Sequence, residues 1–128
     1  MYQQDKGSGL ALGGADPVSY FLPEGPRPGR PDLELVWSGV AWRFASQANR
    51  AAFESDPVSY APRIGGYDAL AASLGRIVDA DPAIFFIGRQ RLYLFRNEAS
   101  RARFQADEGV AARSEERWSG LKGGLVRP

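Results

Sequence analysis

The chain has 128 residues, enough for one compact domain, and its 44% hydrophobic and 24% charged residues are typical of a globular protein. A net charge of +1 argues against a nucleic acid or an anionic membrane surface as partner, and no apolar run is long enough for membrane insertion. Because the sequence has no Cys and no His, it excludes disulfides, Cys/His zinc sites, and Ser-His-Asp or Cys-His catalysis.

The N-terminal part of the chain predicts little regular structure. Residues 1–12 lack the basic start and apolar core of a signal peptide, and we expect them to be a flexible leader. The word Asp-Pro-Val-Ser-Tyr at 16–20 is typical of a turn, and four prolines in 22–31 predict a loop. We expect a cytoplasmic protein if Met1 is the native start, and a periplasmic or exported one if a signal peptide has been removed.

A β-hairpin followed by a helix is predicted next. Apolar residues alternate with other residues over 33–37 and 40–44, which is typical of strands, and Ser38-Gly39 supplies a two-residue turn. Ser46 is a good N-cap for a helix over 47–55, which must end before Pro57 because the residue preceding a proline avoids helical geometry.

The turn fixes which residues of the hairpin face each other. The predicted pairs are Leu35 with Trp42, Leu33 with Phe44, and Glu34 with Arg43. The first two pairs form an apolar face, and the third lies on a face that we expect to be exposed to water. A second hairpin is predicted 51 positions later in the chain. There, Phe85 and Leu94 replace the charged pair, which predicts that the second hairpin is covered on both faces.

The word Asp-Pro-Val-Ser-Tyr recurs at 56–60, where we interpret it as a helix stop. It leads into the sequence Gly65-Gly66-Tyr67-Asp68 and a short predicted helix over 67–74, which Gly75 ends. In this interpretation the two copies of the word have different structural roles.

The second hairpin and its helix repeat the first at an offset of 51 positions. Residues 31–57 align without gaps on 82–108, with seven identities in 27 positions. Asn97 takes the place of the N-cap and predicts a helix over 98–107. We predict an α+β fold of two ββα units related by this repeat, with an extended N-terminal segment, a C-terminal helix around 110–120 and a flexible tail over 122–128.

Several stretches in the same order resemble the small single-domain bacterial proteins of the YHS-domain family. They are DPVSYF, WRFAS, ANRAAFESDPVSYAPRIGGYDA, DPAIFFIGRQRLYLFRN and RARFQAD. The resemblance covers residues 10–121, and we predict a single domain over 13–121. It implies a compact α+β fold related to treble-clef metal-binding modules, in proteins that are often exported and that handle metals.

The chain departs from this family where metal ligands would be expected. Asp68 stands at the cysteine of the family's GGYCA motif, and Ala45 and Asn49 stand where relatives carry ligand cysteines. We therefore expect no metal site and no cofactor. If a metal binds, the residues to consider are Asp68 and Asp16, because carboxylates suit hard cations.

The candidate ligand-binding residues come from the two similar phrases GGAD (13–16) and GGYD (65–68). They are Asp16, Tyr20, Gly65, Gly66, Tyr67 and Asp68. In one interpretation these side chains converge on a single pocket. In the other, Asp68 is a carboxylate at a helix N-terminus, Asp16 belongs to an Asp-Pro turn, and Tyr20 packs its ring.

The predicted function is a non-enzymatic, YHS-like binding or accessory module whose partner is an unknown protein or small molecule. The alternative is a metal-handling protein with a carboxylate and tyrosine site for a hard or ferric cation. An enzyme that uses Asp68 as a general acid or base is a third class, for which the sequence offers no second catalytic group. The sequence does not predict the oligomeric state.

Overall fold

The structure, a computed structural model, describes residues 2–125, with side chains described through residue 121. Over these residues the fold is α+β, as predicted, with two antiparallel sheets of two strands each. The strands are β1 (Arg30–Trp37), β2 (Val40–Phe44), β3 (Asp81–Gly88) and β4 (Arg91–Phe95). The helices are α1 (Gln47–Ser55), α2 (Pro57–Tyr60), α3 (Ala69–Ser73), α4 (Glu98–Ala106) and α5 (Val110–Leu125). Within residues 2–125, no helix is both long and apolar enough to cross a membrane.

The first hairpin has the predicted register over most of its length. Leu35 pairs with Trp42, and Glu34 pairs with Arg43 at an ion-pair distance of 3.4 Å. The predicted pair of Leu33 with Phe44 is wrong, because Phe44 pairs with Arg30 across an irregularity in β1.

The second hairpin has the same irregularity at the matching place. Asp81, instead of Ile84, pairs with Phe95, and regular pairing resumes at Phe85. In both hairpins a proline follows the last residue paired before the break, Pro31 in β1 and Pro82 in β3. A proline has no N–H to donate to the ladder, which gives a physical reason for the bulge in each strand.

The second hairpin lies between two hydrophobic clusters. Leu92 and Leu94 belong to the first cluster, together with Trp42, whereas Tyr93 and Phe95 belong to the second. The expectation that this hairpin is covered on both faces is confirmed. On the first hairpin Val36 is 73% exposed, which confirms the water-facing side.

The helices that follow the hairpins begin as predicted. The side chain of Ser46 accepts a hydrogen bond from the N–H of Asn49 (3.1 Å), and that of Asn97 from the N–H of Ser100 (2.8 Å). Each helix buries one phenylalanine, as expected of an aromatic anchor: Phe53 of α1 in the first cluster and Phe104 of α4 in the second. Full burial of such a side chain stabilises a fold by about 1.5–3 kcal/mol.

Several element boundaries differ from the prediction. Strand β1 begins at Arg30, inside the loop predicted over 22–31, and α4 ends at Ala106 instead of at 107. The second Asp-Pro-Val-Ser-Tyr word does end α1, but residues 57–60 then form a helix of their own, α2. The helix predicted over 67–74 is the shorter α3, with Asp68 as its N-cap. Helix α5 continues to Leu125, through part of the predicted flexible tail, and residues 126–128 lie outside the described residues.

Residues 2–12, part of the predicted flexible leader, are packed against the rest of the chain. Leu10, Ala11 and Leu12 are buried, and the N–H of Ala11 donates to the carbonyl of Ala41 in β2 (2.9 Å). The expectation of a leader overlooks the apolar run at 10–12. Burying these apolar side chains removes them from water, which stabilises the contacts of this segment with the rest of the chain.

Candidate functional site

Asp68 is a buried carboxylate whose two oxygens join separate elements. One oxygen accepts from the N–H of Ala71 in the first turn of α3 (2.9 Å), and the other accepts from the N–H of Arg96, just after β4 (2.8 Å). The Nε of Arg96 lies 3.9 Å from the second oxygen. Asp68 is therefore the helix N-terminal carboxylate that the sequence suggests, and it also fixes the end of β4.

Asp16 has the same arrangement in the first part of the chain. Its Oδ1 accepts from the N–H of Val18 (2.8 Å) and its Oδ2 from the N–H of Ala45, just after β2 (2.8 Å). The side-chain amide of Asn49 donates to the same Oδ2 (2.7 Å). Ala45 and Arg96 are 51 positions apart and each directly follows the second strand of a hairpin, so the two carboxylates accept from matching backbone positions.

The two carboxylates do not share a site. Each is fully buried within its own set of N–H donors. Each carboxylate oxygen already accepts at least one hydrogen bond, so a cation would have to compete with these N–H donors. Within residues 2–125 there is no group of three or more Asp and Glu side chains placed to hold a metal ion.

The candidate tyrosines lie against different clusters. The hydroxyl of Tyr20 donates to the carbonyl of Pro82 (2.6 Å), and its ring lies edge-on to Phe85. Burial raises the pKa of Tyr20 above its usual range, and the charge of Asp81 adds to this effect. Tyr67 instead packs on Trp118, with ring centroids 5.8 Å apart. Burial raises its pKa as well, with a smaller contribution from the charge of Asp79.

The two Gly-Gly turns, unlike the carboxylates, do meet at one cavity. The cavity has a volume of about 140 Å³, and Gly13 lies on its wall together with Gly65 and Gly66. We call it the seam cavity. Trp42 and Leu94, both buried, also line it. Of the six candidate residues, the structure therefore brings Gly65 and Gly66 to this cavity, and places Asp16, Tyr20, Tyr67 and Asp68 elsewhere.

Both turns have an unusual backbone. Leu12, Gly13 and Gly14 have φ values of 57°, 60° and 94°, and Ile64, Gly65 and Gly66 have 60°, 60° and 80°. Three successive left-handed residues are costly for ordinary side chains, and a β-branched residue such as Ile64 is an outlier there. At Gly66 a Cβ would also approach Pro62 to 3.3 Å. The turn therefore needs glycine at this position.

Residues 2–5, which we call the N-terminal strap, form one wall of the seam cavity. The backbone N–H of Gln3 donates to the carbonyl of Gly65 (2.8 Å). The side-chain amide of Gln3 donates to the carbonyl of Ala80 (3.2 Å) and accepts from its N–H (2.9 Å). The ring of Tyr2 packs on Trp42, with centroids 5.2 Å apart. The strap is thus held by a set of contacts of its own.

Asp5 is the carboxylate on the wall of the seam cavity, at its exposed end. It accepts hydrogen bonds from the backbone N–H and the hydroxyl of Ser8, both at 2.9 Å. These bonds hold the pKa of Asp5 below its ordinary value, the backbone bond contributing most. A carboxyl group that stays ionised is a poor general acid at neutral pH.

Sequence reasoning misses the strap and Trp42 as parts of the site. The sequence predicts Trp42 as a packing residue, which it also is, since its Nε1 donates to the carbonyl of Trp37 (2.9 Å). An aromatic residue at position 2 followed by the apolar run at 10–12 is the available signal that this segment packs.

A second, more open cleft lies beside Tyr20. It has a volume of about 520 Å³, and Arg27, Arg43 and Asp81 line it. Its charges are mixed, and Arg43 is already paired with Glu34.

Comparisons with family models, curated proteins and solved structures find no match to this chain.

Proposed function

We propose that the chain is a non-enzymatic, YHS-like binding or accessory module whose ligand site is the seam cavity. The observation that carries this proposal is the meeting of the two Gly-Gly turns at one cavity. Glycine lets backbone approach a ligand closely. The carboxylates that follow the same turns are meanwhile committed to backbone N–H groups.

We further propose that the fold arose by duplication of one unit, with the seam cavity where the two copies meet. The strand breaks at Arg30 and at Asp81 support it, as they lie 51 positions apart. The hairpin turns Ser38-Gly39 and Arg89-Gln90 both have left-handed backbone and also lie 51 positions apart. The relation to treble-clef modules is part of the proposal and depends on the resemblance to YHS-domain proteins.

The polar groups around the cavity favour binding over catalysis. Asp5 is ionised and exposed, and burial raises the pKa of Tyr2, the other titratable side chain on the described cavity wall, above its ordinary value. General acid–base catalysis needs a group whose pKa lies near the working pH and that reaches the reacting atom. A binding site has no such requirement.

The proposal predicts that small-molecule fragments bind at the Gly-Gly turns. We expect a screen of chemically diverse fragments against the ¹⁵N-labelled full chain to shift the amide signals of Gly13, Gly65 and Gly66 in a saturable manner. The variant Ala80→Val adds two methyl groups to the cavity wall and should weaken fragment binding at least about fivefold, since Ala80 is buried there. The measurement is an NMR titration.

The control is Ala102→Val on the exposed face of α4, which should bind fragments as the wild type does. A library without any fragment that shifts the three glycines would refute the proposal. Metal analysis and melts with Mg²⁺, Ca²⁺ and Fe³⁺ address the alternative. A stoichiometric metal in the purified protein, with a rise in Tm on adding that ion, would establish metal handling instead.

A further inference from the structure

From the size and walls of the seam cavity we infer that its ligand is a small uncharged compound about the size of one six-membered ring. This inference rests on the proposed function and narrows it to a class of ligand. The cavity volume is about 140 Å³. An engineered apolar cavity of ~150 Å³ in another protein is large enough to hold benzene. A single ring therefore matches the available space, and a fused pair of rings exceeds it.

The deeper walls of the cavity are apolar. Leu12, Ala11 and Leu94 are buried residues on its wall, as is Trp42. The indole N–H of Trp42 already donates to the carbonyl of Trp37, so the ring offers the cavity only its apolar surface. Apolar walls around a ring-sized space favour an apolar ring by removing its surface from water.

Three backbone polar groups on the cavity wall are already in use. Gln3 occupies the carbonyl of Gly65 and both the N–H and the carbonyl of Ala80. A charged ligand would lose its hydration without gaining these groups as partners, and that loss is large for an ion. The rings of Tyr2 and Trp42 pack on each other, at 5.2 Å and an interplanar angle of 76°, and do not form an open cage for a cation.

The exposed end of the cavity discriminates between ligands by the sign of their charge. Asp5 is the charged side chain there, and its pKa is lowered, so it is ionised at neutral pH. It disfavours an anionic ligand directly. Its carboxylate can accept a hydrogen bond from a hydroxyl or amide group on an uncharged ring. Phenol and benzene are therefore suitable probes.

The inference is tested by comparing probes of matched shape with the ¹⁵N-labelled full chain. We expect benzene and phenol to shift the amide signals of Gly13, Gly65 and Gly66 with saturation and to raise Tm. Benzoate, tetramethylammonium and naphthalene should bind at least about tenfold more weakly, because charge or size excludes them. Ala80→Val should weaken phenol binding at least about fivefold, and Ala102→Val should leave it unchanged.

The outcomes separate the ligand class from the proposed function. Equal or tighter binding of a charged probe or of naphthalene at the three glycines would refute the ligand class and leave the binding site intact. Fragments that shift these glycines while benzene and phenol do not would also refute the ligand class alone. If neither the rings nor any fragment shifts them, both the ligand class and the proposed function are wrong. Because the shifts are mapped on the wild type, the result holds even if Ala80→Val folds poorly.

Discussion

At the scale of single residues, the two buried aspartates Asp16 and Asp68 accept hydrogen bonds in the same arrangement. Asp16 and Asp68 each receive an N–H from the helical turn that follows them and another from the residue just after a hairpin. Bonds of this kind, to an ionised acceptor, are about twice as strong as those between neutral groups. The side chains that look most suited to chemistry therefore stabilise the chain's turns.

Replacing either buried aspartate by asparagine should destabilise the fold strongly. In Asp16→Asn or Asp68→Asn, one oxygen becomes an NH₂ group that faces backbone donors. We expect the free energy of unfolding to fall by about 3 kcal/mol for each variant, from lost charged hydrogen bonds and unsatisfied N–H groups. Denaturant unfolding measures this.

The twin word Asp-Pro-Val-Ser-Tyr offers a matched control. Asp56 is exposed and accepts only from the hydroxyl of Ser59 (2.7 Å) among the side-chain contacts described. Asp56→Asn should change stability by less than about 0.5 kcal/mol. A similar small effect in Asp16→Asn would mean that its hydrogen-bond network does not carry the stability assigned to it.

At the scale of elements, the alternation of apolar residues predicts strand pairing, and capping residues predict where helices begin. The pairing of Leu35 with Trp42 follows from period two, and the start of α1 follows from Ser46. Alternation does not encode a strand break, so the bulges at Pro31 and Pro82 escape prediction although both prolines are visible in the sequence.

The seam cavity could not be predicted from elements alone. Gly65 and Gly66 are candidates because Gly-Gly pairs allow close approach, but their partner surface comes from the strap, more than 60 positions earlier in the chain. The strap is held through Gln3, a polar residue that belongs to no helical or alternating pattern of apolar residues. Long-range contacts of this type leave no local pattern, which is why the sequence favours Asp68 over the glycines beside it.

The two hairpin turns provide a symmetric test of backbone strain. Gln90 has a φ of 63° and its counterpart Gly39 a φ of 76°, so both positions are left-handed. Gln90→Gly should raise the free energy of unfolding by about 1 kcal/mol, because glycine adopts this conformation without steric cost. The measurement is denaturant unfolding at constant pH.

Gly39→Gln is the reciprocal change and should lower stability by about 1 kcal/mol. A Cβ at Gly39 would meet no atom within 4 Å, so its effect reports backbone conformation and not a clash. If both substitutions shifted stability in the same direction, the two turns would not share the left-handed geometry.

At the scale of the whole molecule, long-range hydrogen bonds join the N-terminal region to the second hairpin and the loop before it. Gln3 bonds to Ala80, next to β3, and Tyr20 bonds through its hydroxyl to Pro82 within β3. The ring of Tyr20 also lies edge-on to Phe85, with centroids 5.2 Å apart. The second hairpin is thus fixed from both sides, by the N-terminal region and by the cluster around Phe104.

Tyr20→Phe should reveal the contribution of this link and its dependence on pH. At neutral pH, loss of the hydrogen bond to the buried carbonyl of Pro82 should lower the free energy of unfolding by about 1–2 kcal/mol. Burial raises the pKa of Tyr20 in the folded chain above its unfolded value of about 10. The folded state therefore keeps a proton that the unfolded state loses, so the wild type must lose stability as pH rises above about 10.

The variant lacks this titration, so its deficit relative to the wild type should be constant below pH ~10 and should shrink above it. Tyr20→Phe should still lose some stability at alkaline pH, because a second tyrosine contributes in the same way. Burial and the hydrogen bond with Glu115 raise the pKa of Tyr93 to about 12. Denaturant unfolding at intervals from pH 7 to about 12 measures both profiles. Parallel profiles over the whole range would show that the Tyr20 hydroxyl is not buried in the folded chain, and the link between the N-terminal region and the second hairpin would then have to depend on Gln3 and the packing of rings alone.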